Sequence, residues 1–155
     1  RAGASILGTP SVRDGIVFTG SLDSTMYAFR TSDGALRWKR RLAGRIYGSQ
    51  AVDSAHVYVG TAARTLSCLD AASGAVLWTT ATDGVVNAAP LVSGNILYAG
   101  CLSKTLYALD TERGSIVWQF ATEGRIKTTP VISQHLLLIF AEDRLVIALK
   151  QKESP

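Results

Sequence analysis

Short apolar runs, separated by clusters of turn-forming residues, follow one another along the chain. The most apolar runs lie at 16–20, 57–60, 96–100 and 136–140. Runs of this length with few polar positions predict short strands that are covered on both faces. Turn-forming clusters, such as those at 13–15 and 93–95, lie between consecutive runs and predict tight hairpins. The pattern therefore predicts an all-β protein.

The whole pattern repeats every 40 residues. Three tryptophans and three glycines recur at this spacing: Trp38, Trp78, Trp118, Gly34, Gly74 and Gly114. A fixed period of this size indicates a repeat architecture. We interpret residues 1–155 as a single domain, which the period divides into units at about 4–43, 44–83, 84–123 and 124–155.

Each unit is predicted to form four short antiparallel strands. The first strand follows Pro10, Gln50, Pro90 or Pro130, and the fourth ends in the tryptophan, as at 116–118. Closely spaced turns and frequent β-branched residues exclude helical repeats of similar period. Four-stranded sheets with both faces buried pack radially as the blades of a β-propeller. The predicted fold is therefore a β-propeller of four blades.

Aspartate and glycine are expected to shape the turn between the third and fourth strands. Asp70 and Asp110 can accept hydrogen bonds from the backbone N–H groups that follow them. Gly74 and Gly114 can take the positive φ that closes such a hairpin. In the first unit Arg30 replaces the aspartate, and we expect Asp33 to do part of its work.

The fourth unit departs from the repeat. Lys150 occupies the aspartate position. Glu153 and Ser154 occupy the last two positions of the turn, where the other units end in glycine, and no tryptophan follows. We therefore expect an incomplete last blade, whose missing strand comes from upstream residues of a longer protein or from another molecule. The chain begins without an initiator methionine, which also favours a piece of a longer polypeptide.

The stretch Ala108–Trp118 and its variant Cys68–Trp78 resemble the tryptophan-docking repeat of the quinoprotein, or PQQ-like, β-propellers. The resemblance implies that each outer-strand tryptophan docks against the neighbouring blade. It also implies rings of seven or eight blades, so this chain could be half of an eight-bladed ring, completed by a second copy. The family's enzymes are PQQ-dependent dehydrogenases, whose sites need a tryptophan platform, a vicinal cysteine pair and acidic or amide ligands for calcium.

No catalytic, cofactor-binding or metal-binding residue is predicted here. Cys68 and Cys101 are 33 residues apart, and all three tryptophans occupy docking positions. His56 and His135 lack a nearby cluster of carboxylates or thiols that would make a zinc site. We therefore predict no enzyme and no cofactor, and place the chain in the family's non-catalytic branch.

Five polar residues just before the first strands form a candidate binding mouth: Arg45, Tyr47, Asn87, Arg125 and Lys127. The net charge of +4 favours anionic partners, so an acidic peptide or another anionic ligand is the expected occupant. The basic run at 37–41 lies on an outermost strand, where charge guards against edge pairing, so nucleic acid is disfavoured. No apolar run reaches the length of a membrane span.

The sequence thus predicts a binding or scaffolding module for protein–protein contacts or ligand sensing. Non-catalytic members of the family suggest a bacterial periplasmic or extracytoplasmic domain. Two alternatives stay open: a fragment of a PQQ-dependent dehydrogenase, and an artificial array of repeats that self-assembles into a larger ring.

Overall fold

The computed structural model describes residues 1–142 and 144–150, and every regular element within them is a β-strand. The first sheet contains β1 Ser11–Arg13, β2 Ile16–Gly20, β3 Thr25–Arg30 and β4 Leu36–Arg41. The second contains β5 Ala51–Val52, β6 His56–Thr61, β7 Thr65–Asp70 and β8 Val76–Ala81. The third contains β9 Leu91–Ser93, β10 Ile96–Gly100, β11 Thr105–Asp110 and β12 Ile116–Ala121. The fourth contains β13 Val131–Ser133, β14 Leu136–Phe140 and β15 Val146–Lys150.

Each sheet is an antiparallel meander in chain order, so the prediction of an all-β fold is confirmed. Three sheets have four strands, and the described part of the fourth has three. Strand β1 neighbours β5 and β5 neighbours β9, which places the first strands innermost. The tryptophan-bearing strands β4, β8 and β12 are the last strands of their sheets and form the outer rim.

Consecutive sheets pack face to face, which explains why their strands are apolar on both sides. In β6, Val57 and Val59 pack toward the first sheet, whereas Tyr58 packs toward the third. In β14, Leu137 and Ile139 pack toward the third sheet. The three core clusters thus lie between sheets one and two, two and three, and three and four.

The direction of the strands gives the sheets two distinct ends. First and third strands begin at one end, where second and fourth strands finish, and we call this the entry end. It carries the segments that lead into each first strand, such as 45–49 and 85–89. The opposite end carries the turns at 31–34, 71–74 and 111–114. Within the described residues no helix is long and apolar enough to cross a membrane.

Candidate functional site

The turns between third and fourth strands are closed by aspartate side chains. Asp70 Oδ1 accepts a hydrogen bond from the Ser73 backbone N–H at 2.7 Å. The Ser73 hydroxyl donates to the same oxygen, and the two hydrogen bonds from Ser73 hold the pKa of Asp70 below its usual value. Gly74 follows with φ +70°, a left-handed conformation that favours glycine. In the first sheet Asp33 Oδ1 instead accepts from the Ala35 N–H at 3.0 Å.

The equivalent turn of the third sheet has the same construction. Asp110 Oδ1 accepts hydrogen bonds from the backbone N–H groups of Glu112 at 3.1 Å and Arg113 at 2.8 Å. Gly114 has φ +68°. Both turns therefore place a backbone carbonyl and a bare glycine at the surface that faces the preceding sheet.

Trp38 lies on the turn of the second sheet. Its indole Nε1 donates to the Ala71 carbonyl at 2.9 Å, and its side chain is only 8% exposed. A Cβ on Gly74 would come within 2.6 Å of the indole ring. Arg40 Nε donates to the Gly74 carbonyl at 2.7 Å and adds a second contact between the two sheets.

Trp78 makes the same contact with the third sheet. Its Nε1 donates to the Thr111 carbonyl at 2.9 Å, and a Cβ on Gly114 would lie 2.5 Å from its ring. Thr80 Oγ1 donates to the Gly114 carbonyl at 2.6 Å. The structure thus brings two of the three tryptophans onto two of the three turn glycines.

Gly34 and Trp118 lie outside these pairs. Among the described residues no atom would touch a Cβ on Gly34 within 4 Å. Trp118 is 37% exposed. By the 40-residue repeat, Trp118 would dock on the turn after β15. That turn, with the predicted replacements at Glu153 and Ser154, lies outside the described residues.

The tryptophans and cysteines, as placed within residues 1–142 and 144–150, do not fit a quinone site. The tryptophans lie on the outer rim, and Trp38 and Trp78 are packed under neighbouring turns. Cys68 and Cys101 are free, fully buried side chains in the core between the second and third sheets. Burial raises the pKa of the Cys68 thiol to about 12. Across residues 1–142 and 144–150, no cluster of three histidine, cysteine or acidic side chains could hold a metal ion.

The predicted mouth residues all lie at the entry end. Arg45 is exposed, and Tyr47 and Asn87 are half-buried. The backbone of the segment at 45–48 lies directly against the next one, because a Cβ on Gly48 would come 2.1 Å from the Asn87 carbonyl oxygen. The segments that carry Arg45, Tyr47 and Asn87 are therefore adjacent.

Arg125 and Lys127 are brought together by a residue that sequence reasoning missed. Lys127 Nζ forms an ion pair with Glu142, and Arg125 Nε lies 4.0 Å from the same carboxylate. All three side chains are about half exposed, so the ion pairs are weak. Within residues 1–142 and 144–150, no ion pair joins this group to Arg45.

Two acidic side chains at the entry end, Asp23 and Asp83, accept hydrogen bonds within their own loops, whereas Glu123 is exposed. Asp23 accepts hydrogen bonds from the Tyr27 hydroxyl at 2.7 Å and the Gly3 N–H at 2.7 Å. Asp83 accepts from the Ser103 hydroxyl, and from the Thr105 hydroxyl at 2.7 Å.

Hydrogen bonding also sets the protonation of Asp83. Partial burial raises its pKa, but hydrogen bonds from Ser103, Thr105, Tyr107 and Cys101 outweigh burial and lower the pKa to about 2. This carboxylate is therefore charged at neutral pH and already well supplied with donors.

Two further cations lie at the same end and were not predicted. Arg64 and Lys104 occupy the turns between second and third strands, with φ of 59° and 72°. The Ala62 N–H donates to the Arg45 carbonyl at 2.8 Å, which places the first of these turns beside the mouth segment. The predicted strand order could have located both residues at this end, because every second turn of a meander returns to the same end of the sheet.

The sequence profile of the family described as outer membrane protein assembly factor BamB matches residues 2–61 and 46–148. BamB from Moraxella catarrhalis is 26% identical and has a TM-score of 0.86 over 96% of this chain. The computationally designed Ika4 protein is 16% identical, with a TM-score of 0.87 over 97% of this chain and 93% of its own. No curated protein sequence matches the chain.

Quinoprotein enzymes share the fold as well. A quinohemoprotein alcohol dehydrogenase from Pseudomonas putida HK5 is 22% identical, with a TM-score of 0.77 over 88% of this chain and 28% of its own. At this identity the likeness, like that to Ika4, shows the fold alone. The chain spans 48% of the length of the BamB protein that it matches. Because the family profile covers most of its length, this chain belongs to the PQQ-like β-propeller family of outer membrane protein assembly factor BamB.

Proposed function

We propose that this chain is a non-catalytic binding module that presents the basic entry end of its blades to an acidic peptide. The observation that carries the proposal is that the two ends of the sheets hold different sets of residues. The repeated aspartates, glycines and tryptophans close turns and join sheets at the opposite end and the rim. The entry end holds several exposed cations that make none of these contacts, such as Arg45 and Arg64.

The charge balance at the entry end supports an anionic partner. Arg45, Arg64 and Lys104 are exposed and have no ion pair within residues 1–142 and 144–150. The acids Asp23 and Asp83 accept several hydrogen bonds from neighbouring groups. These hydrogen bonds leave the charges of Asp23 and Asp83 in place, so the support for an anionic partner comes from the exposed cations of this end and from the net charge of +4, which favour acidic segments at low ionic strength.

Its family supports a scaffold that works through protein contacts outside the cytoplasm. The family description names an assembly factor, and BamB is matched over nearly all of this chain. Coverage of 48% of that protein supports four blades as half of an eight-bladed ring.

A fragment of a quinoprotein dehydrogenase is the alternative. The fold of the Pseudomonas putida enzyme favours it, but the placement of Trp38, Trp78, Cys68 and Cys101 does not. Two buried thiols and tryptophans on the rim favour the binding module over a quinone site.

Fluorescence anisotropy of a labelled polyglutamate peptide tests the proposed function. Charge reversal at the entry end, by Arg45→Glu or Arg125→Glu, is expected to weaken binding about fivefold each, because each reversal removes about 1 kcal/mol of screened attraction. Added salt should weaken the wild-type complex further. Arg113→Glu is the matched control, since Arg113 is exposed at the opposite end.

Equal losses from Arg113→Glu and Arg45→Glu would mean that net charge alone attracts the peptide, and would reject the entry end as the site. Absence of any salt-dependent binding by the wild-type chain would reject the acidic partner.

A further inference from the structure

A small cavity lies between the first and second sheets, at the end opposite to the entry end. Its volume is about 260 Å³. The residues that line it come from the hairpin of β1 and β2, from β4, and from two turns of the second sheet. None of them belongs to the candidate mouth at the entry end, so this cavity is a separate feature from the proposed acidic-peptide site.

Two aromatic rings form the apolar wall of the cavity. Phe18 and Trp38 are 2% and 8% exposed, and their ring centroids lie 5.9 Å apart. Ile16 and Ala71 extend the same wall. The hydrogen bond from Trp38 Nε1 to the Ala71 carbonyl, at 2.9 Å, holds the indole in place. The wall is therefore preformed, as in most small-molecule sites.

Two guanidinium groups lie at the mouth of this cavity. Arg13 and Arg37 are both exposed and line the cavity together with Asp14. Asp14 is itself exposed, and its Oδ2 lies 3.5 Å from Arg13 Nε, so this ion pair is weak. Within residues 1–142 and 144–150, Arg37 forms no ion pair. Its guanidinium can therefore donate two parallel hydrogen bonds to the carboxylate of a ligand.

The interface between the second and third sheets has different residues at the corresponding positions. Asp53 and Tyr58 stand there in place of Arg13 and Phe18. The Tyr58 hydroxyl donates to Asp53 Oδ2 at 2.9 Å, so that interface carries its own carboxylate with its own donor. The interface between the first and second sheets has a phenyl ring and a guanidinium instead. It thus lacks an internal carboxylate at the place where the other interface has one.

The volume of the cavity limits the ligand to a single ring. An apolar cavity of about 150 Å³ can hold benzene. The 260 Å³ available here has room for one aromatic ring and a short acidic substituent. The ring would pack on Phe18 and Trp38, and the carboxylate would lie at the mouth beside Arg37.

We propose that this cavity binds a small aryl carboxylate. The aromatic wall selects the ring, and the guanidinium of Arg37 selects the negative charge. Phenylacetate is the simplest probe of this class, and phenylacetamide and acetate are its matched controls. The first control removes the charge, and the second removes the ring.

Two-dimensional ¹H–¹⁵N NMR of the 155-residue chain provides a local readout. The three tryptophans give three indole N–H signals, of which only that of Trp38 comes from a residue that lines the cavity. Phenylacetate should shift the Trp38 signal saturably and leave those of Trp78 and Trp118 in place. Phenylacetamide and acetate should each bind at least about fivefold more weakly, because each lacks one of the two contacts.

Two substitutions on β4 test the role of the guanidinium. Arg37→Gln should weaken phenylacetate binding about fivefold and leave phenylacetamide binding unchanged, because only the charged ligand uses the guanidinium. Lys39→Gln is the matched control, since Lys39 is exposed on the same strand but does not line the cavity. It removes the same charge and should leave both affinities unchanged.

Four results would overturn the proposal. They are no saturable shift of the Trp38 signal, equal shifts of the Trp38 and Trp78 signals, equal affinity for phenylacetate and either control ligand, and equal losses from Arg37→Gln and Lys39→Gln. The last result would mean that net charge alone attracts the ligand.

Discussion

Docking of tryptophan on the turn glycines can be measured with two alanine substitutions that differ in one respect. Gly34 and Gly74 have nearly the same backbone, with φ of 68° and 70°. A Cβ on Gly34 meets no described atom within 4 Å, whereas a Cβ on Gly74 would lie 2.6 Å from Cδ2 and Cε3 of Trp38. Gly34→Ala therefore changes only the backbone, and Gly74→Ala changes the backbone and the contact.

The expected magnitudes follow from these two contributions. Placing alanine in the left-handed region costs about 1–2 kcal/mol, and this applies to both variants. Overpacking against a buried ring adds about 1–3 kcal/mol, and this applies to Gly74→Ala only. We therefore expect Gly34→Ala to lower the free energy of unfolding by about 1–2 kcal/mol, and Gly74→Ala by about 2–5 kcal/mol.

Urea denaturation followed by far-UV circular dichroism measures both values. A shift of midpoint at constant slope would attribute the difference to the native state. Equal destabilisation by the two variants would refute the inference that Trp38 packs on Gly74, since the backbone contribution alone would then account for both.

Three further predictions concern other contacts. Trp38→Phe removes the hydrogen bond to a neighbouring carbonyl and should cost about 1 kcal/mol in urea denaturation, whereas Trp118→Phe should cost less; equal costs would contradict docking as the cause. Because the pKa of Asp83 lies below its unfolded value, its stabilisation is present above about pH 4 and is lost as the pH falls toward 2. Asp83→Asn should flatten the dependence of the urea midpoint on pH in that range, and an unchanged dependence would contradict the assignment. Cys68 and Cys101 should react with a thiol reagent only on unfolding, because both are buried and their thiol pKa values are raised; rapid reaction of either thiol in the native chain would count against the core placement.

The repeat made most of the fold predictable from sequence. A strict spacing of 40 residues places equivalent strands and turns in register, so weak local signals reinforce one another. The predicted first strand after Pro90 is β9, and the predicted tryptophan strand of the same unit is β12. Both belong to a sheet whose faces are buried, as the continuous apolar run of Ile96–Gly100 indicates.

The binding end was less accessible to sequence reasoning, because its contacts join residues far apart in the chain. Glu142 pairs with Lys127 across 15 positions, and no local pattern marks that pairing. Arg64 and Lys104 lie in hairpin turns whose positive φ ordinarily favours glycine or asparagine. Repeat equivalence likewise predicted the same role for Gly34 as for Gly74, although occupancy depends on the neighbouring sheet and not on the turn itself.

Thermal unfolding with PQQ and calcium tests most directly the claim that the repeated motif joins blades and holds no cofactor. Ligand at one hundred times its dissociation constant would stabilise a binding-competent chain by about 2.7 kcal/mol, which raises the Tm of a domain this size by about 5–10 °C. We predict an unchanged Tm at every concentration of PQQ and calcium. A saturable rise in Tm would contradict the account.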